Sequence, residues 1–178
     1  IKKSYFIRAM RMLRIYKRVR FQATNADEVS DIRRWMGDEA QVVLAANLPR
    51  RVNASVRPVR EKEPGELRLV SLARIAVEKN THWALEALRT STGRVSLDLV
   101  GPVYDEAYWK RCQGIIERLP ANVTVRHLGA VDPEHVADLL AGYHALFMPS
   151  MGENFGHAVL EALATGLPVL ISDRTPWK

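Results

Sequence analysis

Two short stretches of this 178-residue chain hold side chains that could act on a phosphorylated ligand. The first runs from Ala73 to Asn80 and carries two cations five residues apart, Arg74 and Lys79. An Arg fork can bind two phosphate oxygens at once, and Lys adds a mobile point charge. The second runs from Ser150 to His157, towards a helix start expected near Gly156. Free backbone N–H groups and the helix dipole favour an anion there. Gly156 has no side chain, so a ligand can approach the backbone closely. Cations on one side and helix amides on the other would clamp a diphosphate. Glu161, inside an otherwise apolar helical run, could accept two hydrogen bonds from vicinal hydroxyls such as those of a ribose. Each piece alone has a plainer reading. A cation in a strand-to-helix loop is usually solvated, and Glu153 before a helix simply suits the dipole.

The two stretches can meet only if the fold brings them together. From Glu66 onward, strands expected at 66–73, 95–100, 123–128, 145–148 and 168–171 alternate with helices at 80–90, 106–119, 133–142 and 156–165. Asp132 is read as an N-cap with Pro133 at the first helical position. Such alternation indicates an α/β fold with a doubly wound, Rossmann-like parallel sheet. With the common strand order 3-2-1-4-5, strand order reverses between the first and fourth strands. Ligands bind outside the carboxyl ends at that reversal, and the two candidate loops follow those two strands.

The first 65 residues are organised differently. Apolar residues at 5, 6, 9, 12, 13, 16 and 19 have helical spacing with basic residues between them. A second helix is expected over 26–36, capped by Thr24 or Asn25 and stopped by Gly37. A short strand follows at 42–46. Prolines and charges without periodicity make 51–65 a linker. The expected division is therefore 1–50, the linker 51–65, and 66–178.

Composition narrows the function. Apolar residues are 47% and charged residues 26%, ordinary globular values. No apolar run approaches the roughly 18 residues of a membrane span. The lone Cys112 excludes an internal disulfide and fits a reducing compartment. The net charge of +6 is local: residues 1–20 carry eight basic side chains and no acid, while the remaining 158 residues carry 18 basic and 20 acidic groups. A near-neutral body argues against a nucleic-acid partner. The basic segment has two readings, a helix packed on further protein or a helix on an anionic membrane surface. No GxGxxG follows Ala73, so a standard NAD site is not expected. There is no acidic pair or His spacing for a metal site.

ENFGHAVLEALATGLPVLISDRTPW resembles the central motif of family 4 retaining glycosyltransferases, which have the GT-B fold. The family's E-x7-E pattern maps onto Glu153 and Glu161, and its Arg-x4-Lys segment onto Arg74 and Lys79. LDLVGP, VRHLGAV and HALFMPSMGENFG are similar to that family in order and spacing. FQATNADEVSDIRRWMG resembles the last strand and helix of an N-terminal, acceptor-binding lobe.

The resemblance implies roles for these residues. Arg74 and Lys79 would bind the donor diphosphate and offset its charge as it leaves. Glu153 would contact the transferring sugar, and Glu161 the ribose. Asn154, Phe155, Gly156 and His157 would contact sugar and phosphate, chiefly through the amides of 155–157. Ala130 and Val131 would lie near the base. The donor would be a nucleoside diphosphate-sugar and the acceptor a glycan, lipid or small molecule. No cofactor or metal ion would be needed, and the place of work would be cytoplasmic, at the membrane face if residues 1–20 bind it. The chain is expected to be the tail of one lobe plus an incomplete second lobe, prone to self-association and inactive alone. The alternatives are a GT-B-like nucleotide-sugar epimerase and a non-catalytic nucleotide-binding module.

Overall fold

The computed structural model describes residues 2–48 and 61–177, with backbone only for 2–4. The chain divides into two compact units, 1–48 and 49–178. Of the expected linker 51–65, residues 51–60 lie outside the described residues.

In the first unit, helix α1 spans Lys2–Met12. The expected helix through residue 19 is broken instead. Arg14 takes a left-handed conformation (φ 53°), and a single 3-10 turn, Ile15–Arg18, follows. An L-residue in that conformation cannot continue a right-handed helix. Strand β1 (Arg20–Ala23) pairs in parallel with β2 (Gln41–Leu44), and helix α2 (Ala26–Met36) connects them. Asn25 Oδ1 accepts from Glu28 N at 2.8 Å, and Glu28 Oε2 accepts from Thr24 N at 2.7 Å. This reciprocal capping starts α2 at the expected residue. The Thr24 backbone and hydroxyl bonds hold the Glu28 carboxyl below its ordinary range. Gly37, at φ 102°, ends the helix.

In the second unit, β3 (Glu66–Leu72), β4 (Arg94–Val100), β5 (Val123–Gly129), β6 (Ala145–Met148) and β7 (Val169–Ile171) form a parallel sheet of order β5-β4-β3-β6-β7. This is the expected 3-2-1-4-5. Its strands are apolar on both faces, as a sheet covered on two sides requires. Leu69, Leu97 and Leu99 point into one cluster, with Leu85 of α3 (Thr81–Ala87) and Tyr108, Cys112 and Ile115 of α4 (Glu106–Ile116). Val70, Val100, Leu146 and Met148 point into the other, with Val136 and Leu140 of α5 (Val136–Leu140) and Val159 and Ala162 of α6 (His157–Ala164). The sheet is thus doubly wound.

Some boundaries differ from expectation. Helix α3 is short and flanked by 3-10 turns at Val77–Lys79 and Leu88–Thr90. Helix α4 starts where Asp105 accepts from Tyr108 N at 2.9 Å, and ends three residues early. Helix α5 does not begin at Pro133. Residues 133–135 form turns, His135 stands at the N-cap without a side-chain cap bond, and Asp132 accepts only through its backbone oxygen, from His135 N. Only Val136 and Leu140 of this segment are buried in the core, one turn apart, so packing supports a single helical turn.

Backbone contact requires glycine at position 101. A Cβ at Gly101 would lie 2.3 Å from the Ala73 carbonyl oxygen. Gly101 stands at φ 143° and links the ends of the first three strands of the sheet: Gly101 N donates to Gly129 O at 2.7 Å, and Ala73 N to Val100 O at 2.9 Å. This close backbone approach lies beside Arg74.

Candidate active site

The loop after β3 and the loop after β6 lie side by side at the carboxyl ends of adjacent strands. Met151 N donates to Glu78 O at 2.9 Å, and Asn80 Nδ2 donates to Pro149 O at 3.0 Å. Asn80 is left-handed (φ 59°), which lets the first loop turn sharply into α3. Lys79 crosses the gap. Its Nζ donates to Glu153 Oε1 at 2.5 Å, with the two side chains 18% and 10% exposed.

Arg74 is on the same loop but has different partners. Its Nε and Nη2 donate to Glu78 Oε1 at 3.0 and 2.6 Å, and its guanidinium lies 4.7 Å from the centre of the Tyr104 ring. Glu78 is held below its usual range, first by its own backbone N–H and then by Arg74. Sequence reasoning missed both partners. Glu78 stands four residues after Arg74, a spacing that was available to find it. Tyr104 follows the next strand, and nothing local pointed to it.

Phe155, Gly156 and His157 form the approach to α6. Gly156 is buried and left-handed (φ 80°) at the N-cap. The Phe155 ring packs on His157 at 4.8 Å and on Trp177 at 5.8 Å. Asn154 is exposed in the same loop. Glu161 sits half-buried on α6, one turn beyond His157. Ala130 is exposed after β5, while Val131 packs on the cluster that holds Ala73 and Val100. The expected residues therefore come from the carboxyl ends of β3, β5 and β6 and from α6. Besides the Met151–Glu78 and Asn80–Pro149 bonds, the side-chain ion pair Lys79–Glu153 joins the two central loops.

A second constellation lies at the amino-terminal half of the strands. A polar cavity of about 480 Å³ there is lined by Glu66, Arg68, Arg94, Asp98, Arg126 and Tyr143, among others. Five of these groups pair with one another. Arg126 grips buried Asp98 through two bonds of 2.8 and 2.6 Å, Tyr143 donates to Asp98 at 2.6 Å, and Arg68 pairs with Glu66 at 2.9 Å. Burial pushes the Tyr143 phenol up, with Asp98 adding to the shift, so it stays a donor. This cavity is the wrong end of a parallel sheet for a ligand, and we read its cluster as structural.

The fold resembles that of Anabaena HepE in complex with UDP and glucose, with a TM-score of 0.68 at 19% identity, covering 86% of this chain and 44% of that one. Its sheet order, two-sided helical cover and loops at the strand-order reversal make the second unit a lobe of the GT-B class. In sequence, residues 53–177 match the family described as "Glycosyl transferases group 1". The chain belongs to that family. Among curated relatives, it is 30% identical over 130 residues to a GDP-mannose-dependent alpha-(1-6)-phosphatidylinositol dimannoside mannosyltransferase of Mycobacterium tuberculosis, covering 70% of this chain and 32% of that protein. It is 28% identical over 103 residues to the GtfA subunit of a UDP-N-acetylglucosamine–peptide N-acetylglucosaminyltransferase of Streptococcus agalactiae, covering 57% of this chain and 20% of that protein. The chain thus spans a fifth to a third of these curated relatives. Among the described residues, no helix is long and apolar enough to cross a membrane.

Proposed function

We propose that the chain forms the donor side of a retaining, metal-independent glycosyltransferase that uses a nucleoside diphosphate-sugar. The observation that carries this is the Lys79–Glu153 bond. It puts a cation and a carboxylate from different loops at the strand-order reversal. In the proposed reaction the bond from the anomeric carbon to the diphosphate breaks and its electron pair leaves on the phosphate oxygen. The acceptor oxygen bonds to that carbon on the same face, and its proton passes to the departing phosphate oxygen. Lys79, Arg74 and the amides of 155–157 take up the developing negative charge, which is where preorganised donors act most strongly. These groups supply the neutralisation for which other transferases use a metal. Glu153 faces the sugar, and Glu161 the ribose. Asn154 lies beside the sugar, with Ala130 and Val131 at the base. The family membership favours transfer over the epimerase and the non-catalytic module.

The names of the relatives supply both UDP and GDP as bases to try. Titrating this chain with UDP, GDP and ADP sugars should give binding to one base series. Arg74→Ala and Glu161→Ala should each weaken it. Binding that ignores both substitutions would remove the site.

We also assign residues 1–20 to an anionic membrane surface at the cytoplasmic face. Supporting this, Tyr5, Phe6, Met12 and Leu13 are all more than 60% exposed beside the cations of the first unit. Deleting residues 1–20 should abolish sedimentation with phosphatidylglycerol vesicles and leave nucleotide affinity unchanged. Equal sedimentation of both forms would refute the assignment.

A further inference from the structure

The segment after β7 reaches back to the loop that precedes α6. Ser172 Oγ donates to Ser150 O at 2.5 Å, at the beginning of that loop. Trp177 Nε1 donates to Phe155 O at 2.5 Å, at its end. Between them Thr175 is buried, and its hydroxyl donates to Ser172 O at 3.3 Å. The indole packs among the cluster under α6, edge-on to Phe155 at 5.8 Å and 68°.

The Phe155 carbonyl and the Gly156 N–H belong to one peptide plane, and in a planar trans peptide they point in opposite directions. A donor that grips the carbonyl therefore also aims the N–H. Left alone, this plane could turn over, because glycine adopts positive and negative φ about equally well. Gly156 is at φ 80°, a conformation that favours glycine, and a Cβ there would lie 3.1 Å from Trp177 Nε1, so the indole packs tightly on this backbone. Side chain and glycine form one device: the glycine makes the plane reversible, and the indole selects one of its two orientations.

We propose that Trp177 is a positioning residue that locks the Phe155–Gly156 peptide plane and so directs the Gly156 amide towards the donor diphosphate. The direction of the N–H follows from the carbonyl bond alone, while the diphosphate as its target rests on the function proposed above. Trp177 touches no reacting atom in this scheme. It acts through the amide that does.

The test separates the hydrogen bond from packing. Trp177→Phe removes the N–H and some bulk. Benzothienylalanine at position 177 keeps the bicyclic shape and removes only the N–H. Amide exchange at Gly156 and His157 should rise at least tenfold in both variants while exchange in β3 and β4 stays unchanged. Affinity for UDP or GDP, whichever binds the unaltered chain, should fall roughly five- to tenfold, the factor one neutral hydrogen bond is worth. If the benzothienyl variant exchanges and binds like the unaltered chain, the proposal is overturned, and Trp177 only fills space. If the unaltered chain binds none of the nucleotides, the donor assignment falls, and the exchange rates still decide whether the indole locks the plane. If Trp177→Phe does not fold, the isosteric variant carries the test.

Discussion

On the function proposed above, Lys79→Ala should lower kcat/KM for sugar transfer by a hundredfold or more. Removing one preorganised donor from developing negative charge costs about 3–4 kcal/mol of transition-state stabilisation, which is two to three powers of ten in rate. The structure adds a reason to expect the high end. Lys79 is the residue that neutralises Glu153, at 2.5 Å and with both side chains largely shielded from water. Without it, a carboxylate would face the incoming diphosphate with its charge uncompensated. Lys79→Arg should recover only part of the activity, because a planar fork does not occupy the place of a compact ammonium. Release of nucleoside diphosphate from the cognate donor measures the effect. Turnover within twofold of the parent enzyme would take Lys79 out of the diphosphate site.

Arg126→Ala should lower the stability of the second unit, because it removes the two bonds that pair the buried Asp98 carboxylate. Asp98 is 1% exposed, and this substitution would leave its charge with the Tyr143 hydroxyl as its remaining side-chain bond among those described. Arg126 is itself 61% exposed, so solvent screens part of the pairing. Replacing the pair together, Asp98→Leu with Arg126→Met, should return much of the loss, since no buried charge would remain. The shift in the urea midpoint at constant slope reads both variants. A loss below about 0.5 kcal/mol for Arg126→Ala, the size of an ordinary surface change, would show that Asp98 reaches water by another route. Nucleotide binding at the opposite end of the strands should survive wherever the unit stays folded.

Elements whose signals are local were legible. The cap at Asn25 and the glycine stop at Gly37 are set within a few residues, and the structure starts and ends α2 there. The strands of the second unit were legible because apolar residues run through them on both faces. Misreadings fell where a local signal met a packing requirement. Asp132-Pro133 has the form of a helix start, yet the fully buried residues of that helix are Val136 and Leu140, and the helix is little more than one turn long. The spacing of residues 5–19 is helical throughout, yet Arg14 turns left-handed and divides it.

The candidate site divides in the same way. The residue types and spacings of Arg74, Lys79, Glu153 and Glu161 are properties of the sequence, as is the alternation that implies a parallel sheet. These decided the chemistry to expect and the end of the sheet at which to expect it. Partner choice was decided by tertiary structure. Lys79 meets Glu153, 74 residues away, because β3 and β6 are neighbours in the sheet. Arg74 instead turns to Glu78 and to Tyr104 after β4. Trp177 reaches Phe155 because the chain folds back after β7. The physical reason is one of range. Propensity, capping and periodicity act over one or two turns of chain. Strand order and backbone approach join residues tens of positions apart, and only the folded chain brings them within hydrogen-bonding distance.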